Sequence, residues 1–380
     1  MTRAAVRGGP SASPSSSFAD PELCRALHAR IVALASRQPH VRLMEVCGTH
    51  TTAFFRTGVR GMLPRNVEVI SGPGCPVCVT PTSYVDLALR LLREPRIAVA
   101  TFGDMLRVPG SESSLERERA LGARVEIVYS PLDVLPLARS RPQETFVFLG
   151  VGFETTAPGV ATLIEMAERE GTANVRVLSG HKLVPPALEA LLSSDAPAID
   201  GLILPGHVSV ILGSDAYRFV AERFAVPGVV CGFDPADLLG GVLDLLEMRA
   251  RGEARIGNRY GRAVTPEGNR RARAALERVF EVETASWRGL GPIPASGLAI
   301  ARPLSHRDAR LLLPTGEAER IESVSREPAG CLCGEVLRGR VAPVDCPLFG
   351  GACTPETPVG PCMVSSEGTC AAYHRYGARS

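Results

Sequence analysis

The chain has 380 residues, of which 42 are basic and 40 acidic, for a formal net charge of +2. With 45% hydrophobic and 22% charged residues it has the balance of a globular protein able to bury more than one core, which excludes wholesale disorder. The charges form no basic stripe of the kind a phosphate backbone requires, so nucleic acid is not an expected partner.

No apolar run reaches the eighteen or so residues that span a bilayer, and the first residues lack the apolar region of a secretory signal. No membrane association is expected, and the expected compartment is the cytoplasm. Thiols are kept reduced there, so eleven cysteines point to metal or redox chemistry rather than to a disulfide framework.

Residues 1–20 are rich in Ser, Pro, Ala and Gly and read as a flexible tail. The spacing from Pro21 to Arg37 predicts an amphipathic helix, with Cys24 on its apolar face. Short apolar runs then alternate with helical patterns. Strands are predicted near Val41 to Cys47, Val67 to Ser71, Ile97 to Phe102 and Val125 to Tyr129, with a helix from Tyr84 to Arg93. Four more follow near Thr145 to Gly150, Val175 to Ser179, Ile199 to Leu204 and Gly228 to Cys231, with helical patterns between them. Apolar strands alternating with helices imply parallel sheets covered on both faces. The expected fold class is therefore α/β, with two successive parallel-sheet domains at 21–135 and 136–252. Residues 253–380, with a helix from Ala272 to Val282 and then many Pro, Gly and Cys, form a third unit of little regular structure.

Open parallel sheets bind ligands beyond the carboxyl ends of their strands. Here those positions carry Gly beside reactive residues: Cys47 to His50, Ser71 to Cys78, Gly103-Asp104, Gly150 to Pro158 with Glu154, Ser179 to Lys182 with His181, Leu204 to His207, and Cys231 to Asp234. Any one such loop is as readily a turn and a helix cap. All of them together describe a polar, thiol-rich cleft between facing rims.

Cys75-Pro-Val-Cys78 has the spacing of a metal chelate or a reversible disulfide. Val79 to Pro81 separates it from the next helical pattern, which argues against a thiol at a helix start. Cys47, at the end of the neighbouring strand, adds a third thiol, with His50 nearby, and the set suits iron or zinc. A lone histidine is more often structural than a ligand, which holds for His50, His181 and His207 alike. Cys24 reads as core, and Cys231 is open between core and site.

Six cysteines crowd the C-terminal stretch: Cys331, Cys333, Cys346, Cys353, Cys362 and Cys370. Structural zinc sites usually draw on paired Cys-x-x-Cys knuckles, absent here, and need only four ligands. Scattered thiolates with Pro and Gly around them fit a [4Fe-4S] cluster better.

These motifs resemble the HypD family of [NiFe]-hydrogenase maturation proteins. The resemblance runs from about Leu43 to Tyr373 and is carried by Glu45 to Thr51, Ser71 to Cys78, Gly152 to Pro158, Gly180 to Pro186, Pro205 to Val210, Cys231 to Pro235 and Val364 to Cys370. It implies two Rossmann-like domains around a cleft and a C-terminal [4Fe-4S] domain at 253–380. It implies that Cys47 binds iron jointly with a thiol of a small HypC-type chaperone, and that Cys75 and Cys78 are a redox-active pair. Cys333, Cys346, Cys353 and Cys370 best match the cluster ligands, with the choice between Cys331 and Cys333 open and Cys362 a further alternative. The implied function is a scaffold on which the Fe(CN)2CO unit is assembled. Cyanide would come from a HypE-type donor, and the unit is destined indirectly for the hydrogenase large subunit. His50, His207, Glu154 and Lys182 are candidates to orient or protonate cyanide. The rival reading is a cluster-linked disulfide reductase of the ferredoxin-thioredoxin type, which has no use for Cys47.

Overall fold

The computed structural model describes residues 20–194 and 198–377. The tail expected over 1–20 lies, apart from Asp20, outside the described residues. Asp20 caps the first helix, Pro21–Ala35, its carboxylate accepting the Glu22 N–H at 2.8 Å, and Pro21 supplies a pre-set first position. Cys24 packs half-buried against the core beneath this helix.

The strands, in chain order, are β1 (Val41–Glu45), β2 (Val67–Ser71), β3 (Ile97–Thr101), β4 (Val125–Ile127), β5 (Thr145–Gly150), β6 (Val175–Ser179), β7 (Gly201–Leu204), β8 (Gly228–Val230), β9 (Ile256–Asn258), β10 (Phe280–Trp287) and β11 (Gly291–Ile300). All eight predicted strands are present, and the α/β class with parallel sheets holds.

Their grouping differs from the expected succession of halves. One parallel sheet has the order β2-β1-β7-β8-β9 and the other β4-β3-β5-β6. The chain leaves the first sheet after β2, builds the whole of the second, and returns at β7, where Leu43 faces Gly201 and Glu45 faces Ile203. The local pattern could not show this. Buried strands are apolar on both faces and interchangeable by periodicity, so pairing is decided by packing between residues far apart in the chain.

The C-terminal stretch is also more regular than expected. The helix runs Arg270–Val279 and hands over directly to an antiparallel hairpin of β10 and β11, with Phe280 opposite Ile300 and Trp287 opposite Gly291. Gly291, Pro292, Pro294 and Gly297 hide the strand pattern in β11, and a bulge between Glu283 and Ala285 breaks the alternation of β10. Trp287 Nε1 donates to Ser296 Oγ at 2.8 Å and holds the bulged ends together. The hairpin docks on the second sheet, with the Leu183 N–H donating to Ser296 O at 2.9 Å.

Helices Pro21–Ala35 and Pro235–Arg251 cover one face of the first sheet, burying Ile31 and Leu243 with Leu43. Helix Ala157–Arg169 covers the second through Val160 and Ile164 against Phe146 and Phe148. The largest core runs between the sheets and joins Leu149 and Leu204 to Cys75, Cys78, Trp287, Cys333 and Cys362. The two rims and the C-terminal thiols are thus held by one packed interior. Among the described residues, no helix is long and apolar enough to cross a membrane.

Candidate functional site

β1 delivers the chain to Cys47, which caps helix Gly48–Arg56, its carbonyl accepting the His50 N–H at 2.8 Å. Its own N–H donates to Glu45 Oε2 at 3.1 Å, and the Thr51 hydroxyl donates to the other Glu45 oxygen. Glu45 is buried, and burial pushes its carboxyl up to about 7 despite the hydrogen bonds it accepts. The Cys47 thiol is buried too, and burial, then the charges of Glu367 and Glu45, push it up to about 12. Cys47 therefore stands as a neutral thiol at neutral pH.

The loop after β2 lies directly against it. Gly48 N–H donates to Gly74 O at 2.8 Å. A methyl on Gly74 would come within 2.5 Å of Cys47 Cα, and one on Gly48 within 3.2 Å of Cys75 Cβ. Glycine here serves close approach of two backbones and brings Cys47 alongside the second thiol loop. Cys75 and Cys78 are joined by a disulfide with Cα atoms 5.2 Å apart. Contrary to the sequence reading, Cys75 caps a one-turn helix, Pro76–Val79, whose Cys78 N–H meets Cys75 Sγ at 3.2 Å. A single turn opened by Pro is too short to leave a periodic pattern.

His50 is fully buried. Its Nε2 donates to the carbonyls of Cys231 and Gly232 at 3.2 and 3.1 Å, while Nδ1 has no partner among the described residues. Burial holds its pKa near 4, so the ring is neutral, with the Nδ1 lone pair available. Phe233 stands between His50 and His207, ring centroids 4.8 and 4.2 Å away, and His207 reaches solvent. Glu367 arrives from the C-terminal segment, accepting the Thr49 hydroxyl at 2.6 Å and acting on both Cys47 and His207. Neither Glu45 nor Glu367 was singled out from the sequence, although both lie inside motifs that carry the resemblance.

The structure thus lays the Cys47 loop alongside the Cys75–Cys78 loop, while the His50 ring, on the helix Cys47 caps, turns to the loop after β8 with Phe233 and His207. Glu154 is also buried at a strand end. One oxygen accepts the Val184 N–H at 2.9 Å, the other has no partner among the described residues, and burial raises its carboxyl to about 7. Glu154 and Cys47 both lie within electrostatic reach of buried Tyr217. His181 and Lys182 line a different pocket, with Tyr84, Glu283 and Arg310, whose lining does not include Cys47. Cys231 is core: its buried thiol leans on Gly241 and points at Val229 O.

All six C-terminal cysteines line one cavity, together with Val336, Leu348, Phe349, Gly360 and Met363. Cys333 opens helix Cys333–Leu337, Cys362 lies in helix Pro361–Val364 and Cys370 in helix Thr369–Tyr376. Cys333 and Cys362 have their sulfurs 2.8 Å apart, and Cys353 Sγ accepts the Val359 N–H at 3.3 Å. No three His, Cys, Asp or Glu side chains among the described residues converge as a single metal ion would require.

The sequence profile of the hydrogenase formation hypA family, HypD, matches residues 22–377. The chain belongs to the HypD family. It is 46% identical over 369 residues to the hydrogenase maturation factor HypD of Rhodobacter capsulatus, covering 96% of this chain and 98% of the relative. It is 44% identical to the factor of the same name from Azotobacter vinelandii, covering 95% and 96%. The Escherichia coli K12 hydrogenase maturation factor HypD is 43% identical over 337 residues, 88% of this chain and 89% of that protein.

Proposed function

We propose that this hydrogenase maturation factor is the scaffold on which iron, its cargo, is held by Cys47 while cyanide and carbon monoxide are added. The observation that carries the reading is the close backbone approach that lays the loop of the buried Cys47 alongside the loop of the Cys75–Cys78 bridge, with the free Nδ1 of His50 on the helix that Cys47 caps. Thiolate suits iron bearing strong π-acceptor ligands. One protein thiol leaves coordination positions open for cyanide, carbon monoxide and a thiol of a HypC-type chaperone, where a closed four-cysteine site would not release its metal. Because burial keeps Cys47 protonated, iron binding there releases a proton, and a buried neutral thiol does not capture stray metal readily. A HypE-type donor supplies the cyanide, and the finished Fe(CN)2CO unit leaves for the hydrogenase large subunit in the cytoplasm.

The C-terminal unit fits a resident [4Fe-4S] cluster. Its six thiols share one cavity with apolar walls, two more than a four-ligand structural zinc site uses. Cys333, Cys346, Cys353 and Cys370 would hold it, with Cys331 the alternative to Cys333 and Cys362 in the same cavity. When bound, such a cluster supplies one-electron redox chemistry. Cys75 and Cys78 offer a disulfide that takes up two electrons and two protons to become a dithiol, and a dithiol that returns them on closing again.

Iron retention tests the reading. Anaerobic protein with its HypC-type partner is expected to keep one iron per chain beyond the cluster complement of about four through gel filtration. The Cys47→Ala protein is expected to keep only the cluster iron, and equal retention by both would place the cargo elsewhere.

A further inference from the structure

Arg288 sits in the turn between β10 and β11 and is only 4% exposed. Its N–H donates to Val79 O at 2.8 Å and its Nε to Thr80 O at 3.0 Å, the two residues that follow Cys78. Nη1 reaches the Thr82 hydroxyl at 3.2 Å and pairs with the half-exposed Glu327. On the other side, Gly289 abuts the residue after Cys333: a methyl at Gly289 would come within 2.7 Å of Gly334 O. Nη2 is buried and has no partner among the described residues. The guanidinium lies within electrostatic reach of Cys333, Cys362 and Cys331.

We propose that Arg288 is a positioning residue that fastens the turn carrying Cys75 and Cys78 to the C-terminal thiols and sets the positive charge that the cluster there experiences. The inference rests on reading those thiols as a cluster site. A buried cation with one unmet donor is costly unless something negative completes its surroundings. Glu327 answers one face of the guanidinium from the solvent side. The remaining donor, Nη2, is unpaired among the described residues while Cys333, Cys362 and Cys331 lie within electrostatic reach, and thiolate-bound iron-sulfur groups gain negative charge on reduction. A fixed cation and its N–H groups beside the sulfurs stabilise the reduced form, which raises the reduction potential. The same side chain holds the backbone just after Cys78, so the distance between the dithiol and the cluster depends on it.

The test is a spectroscopically monitored reduction titration of the anaerobic full-length protein and three variants. Arg288→Gln is expected to lower the cluster midpoint, Arg288→Lys to restore part of the shift, and Glu327→Gln to raise the midpoint by removing the competing negative charge. An unchanged midpoint in Arg288→Gln with full cluster content overturns the inference. If Arg288→Gln fails to assemble a cluster, Glu327→Gln decides, since it leaves the arginine in place: an upward shift supports the inference and no shift overturns it. A colourless wild-type protein overturns the cluster reading, and this inference with it.

Discussion

Gly48 and Gly74 are joined by a backbone hydrogen bond of 2.8 Å, and this contact sets the separation between Cys47 and the Cys75–Cys78 disulfide. It exists because neither residue has a side chain. A methyl on Gly74 would overlap the Cys47 backbone, which cannot move aside as a flexible side-chain end could. Gly74→Ala is therefore expected to destabilise the protein by about 1–3 kcal/mol, the usual cost of forcing extra atoms into a packed interior. Gly103→Ala, whose added methyl meets nothing within 4 Å, serves as the control. Urea midpoints of the two variants check this, and equal midpoints would show that the two thiol loops are not in contact.

Glu154 gives a pH dependence with a definite sign. Its folded pKa, about 7, lies above the ordinary carboxylate value because burial disfavours the charge, so the folded state binds the proton more tightly than the unfolded. The resulting stability is fully present below the unfolded pKa and is lost as pH rises through about 7. His50 and His181 shift the opposite way, so the bare pH profile mixes both effects. Comparison with Glu154→Gln isolates the carboxyl, because the amide oxygen can still accept the Val184 N–H. Over the range pH 5 to pH 8, the stability of wild type relative to Glu154→Gln is expected to be greatest at pH 5 and to fall by about 2.5 kcal/mol by pH 8. A difference that stays flat across that range would mean the carboxyl is not held in a dry site.

What the sequence revealed and what it hid divide along physical lines. Strands such as Thr145–Gly150 were legible because a run of apolar residues bounded by Gly has few other uses. That Cys47 and His50 follow β1, and Cys75 and Cys78 follow β2, was legible because short apolar runs closed by Gly mark where strands stop. Sheet membership was not, since β7 is chosen by β1 through packing across more than 150 residues of chain. The hairpin of β10 and β11 was hidden by its own Gly, Pro and bulge. Arg288 and Glu367 escaped for another reason: each acts on a site built from distant segments, and nothing local marks an Arg or a Glu as facing a thiol.

Cys75 and Cys78 are expected to cycle between disulfide and dithiol, as their spacing and the disulfide allow. Thiol trapping followed by mass spectrometry should show a change of two thiols between oxidising and reducing conditions, lost in Cys75→Ser. The same change persisting in the variant would move the redox couple to another pair of thiols.

The central claim is that Cys47 anchors the iron under assembly, and infrared spectroscopy of the complex with a HypC-type partner addresses it most directly. Bound cyanide and carbon monoxide give stretching bands in a region free of protein absorption, so the bands report the cargo itself. The wild-type complex is expected to show both kinds of band. Cys47→Ala is expected to keep its fold and its C-terminal iron-sulfur absorption while losing them. Bands of wild-type intensity in Cys47→Ala would contradict the account.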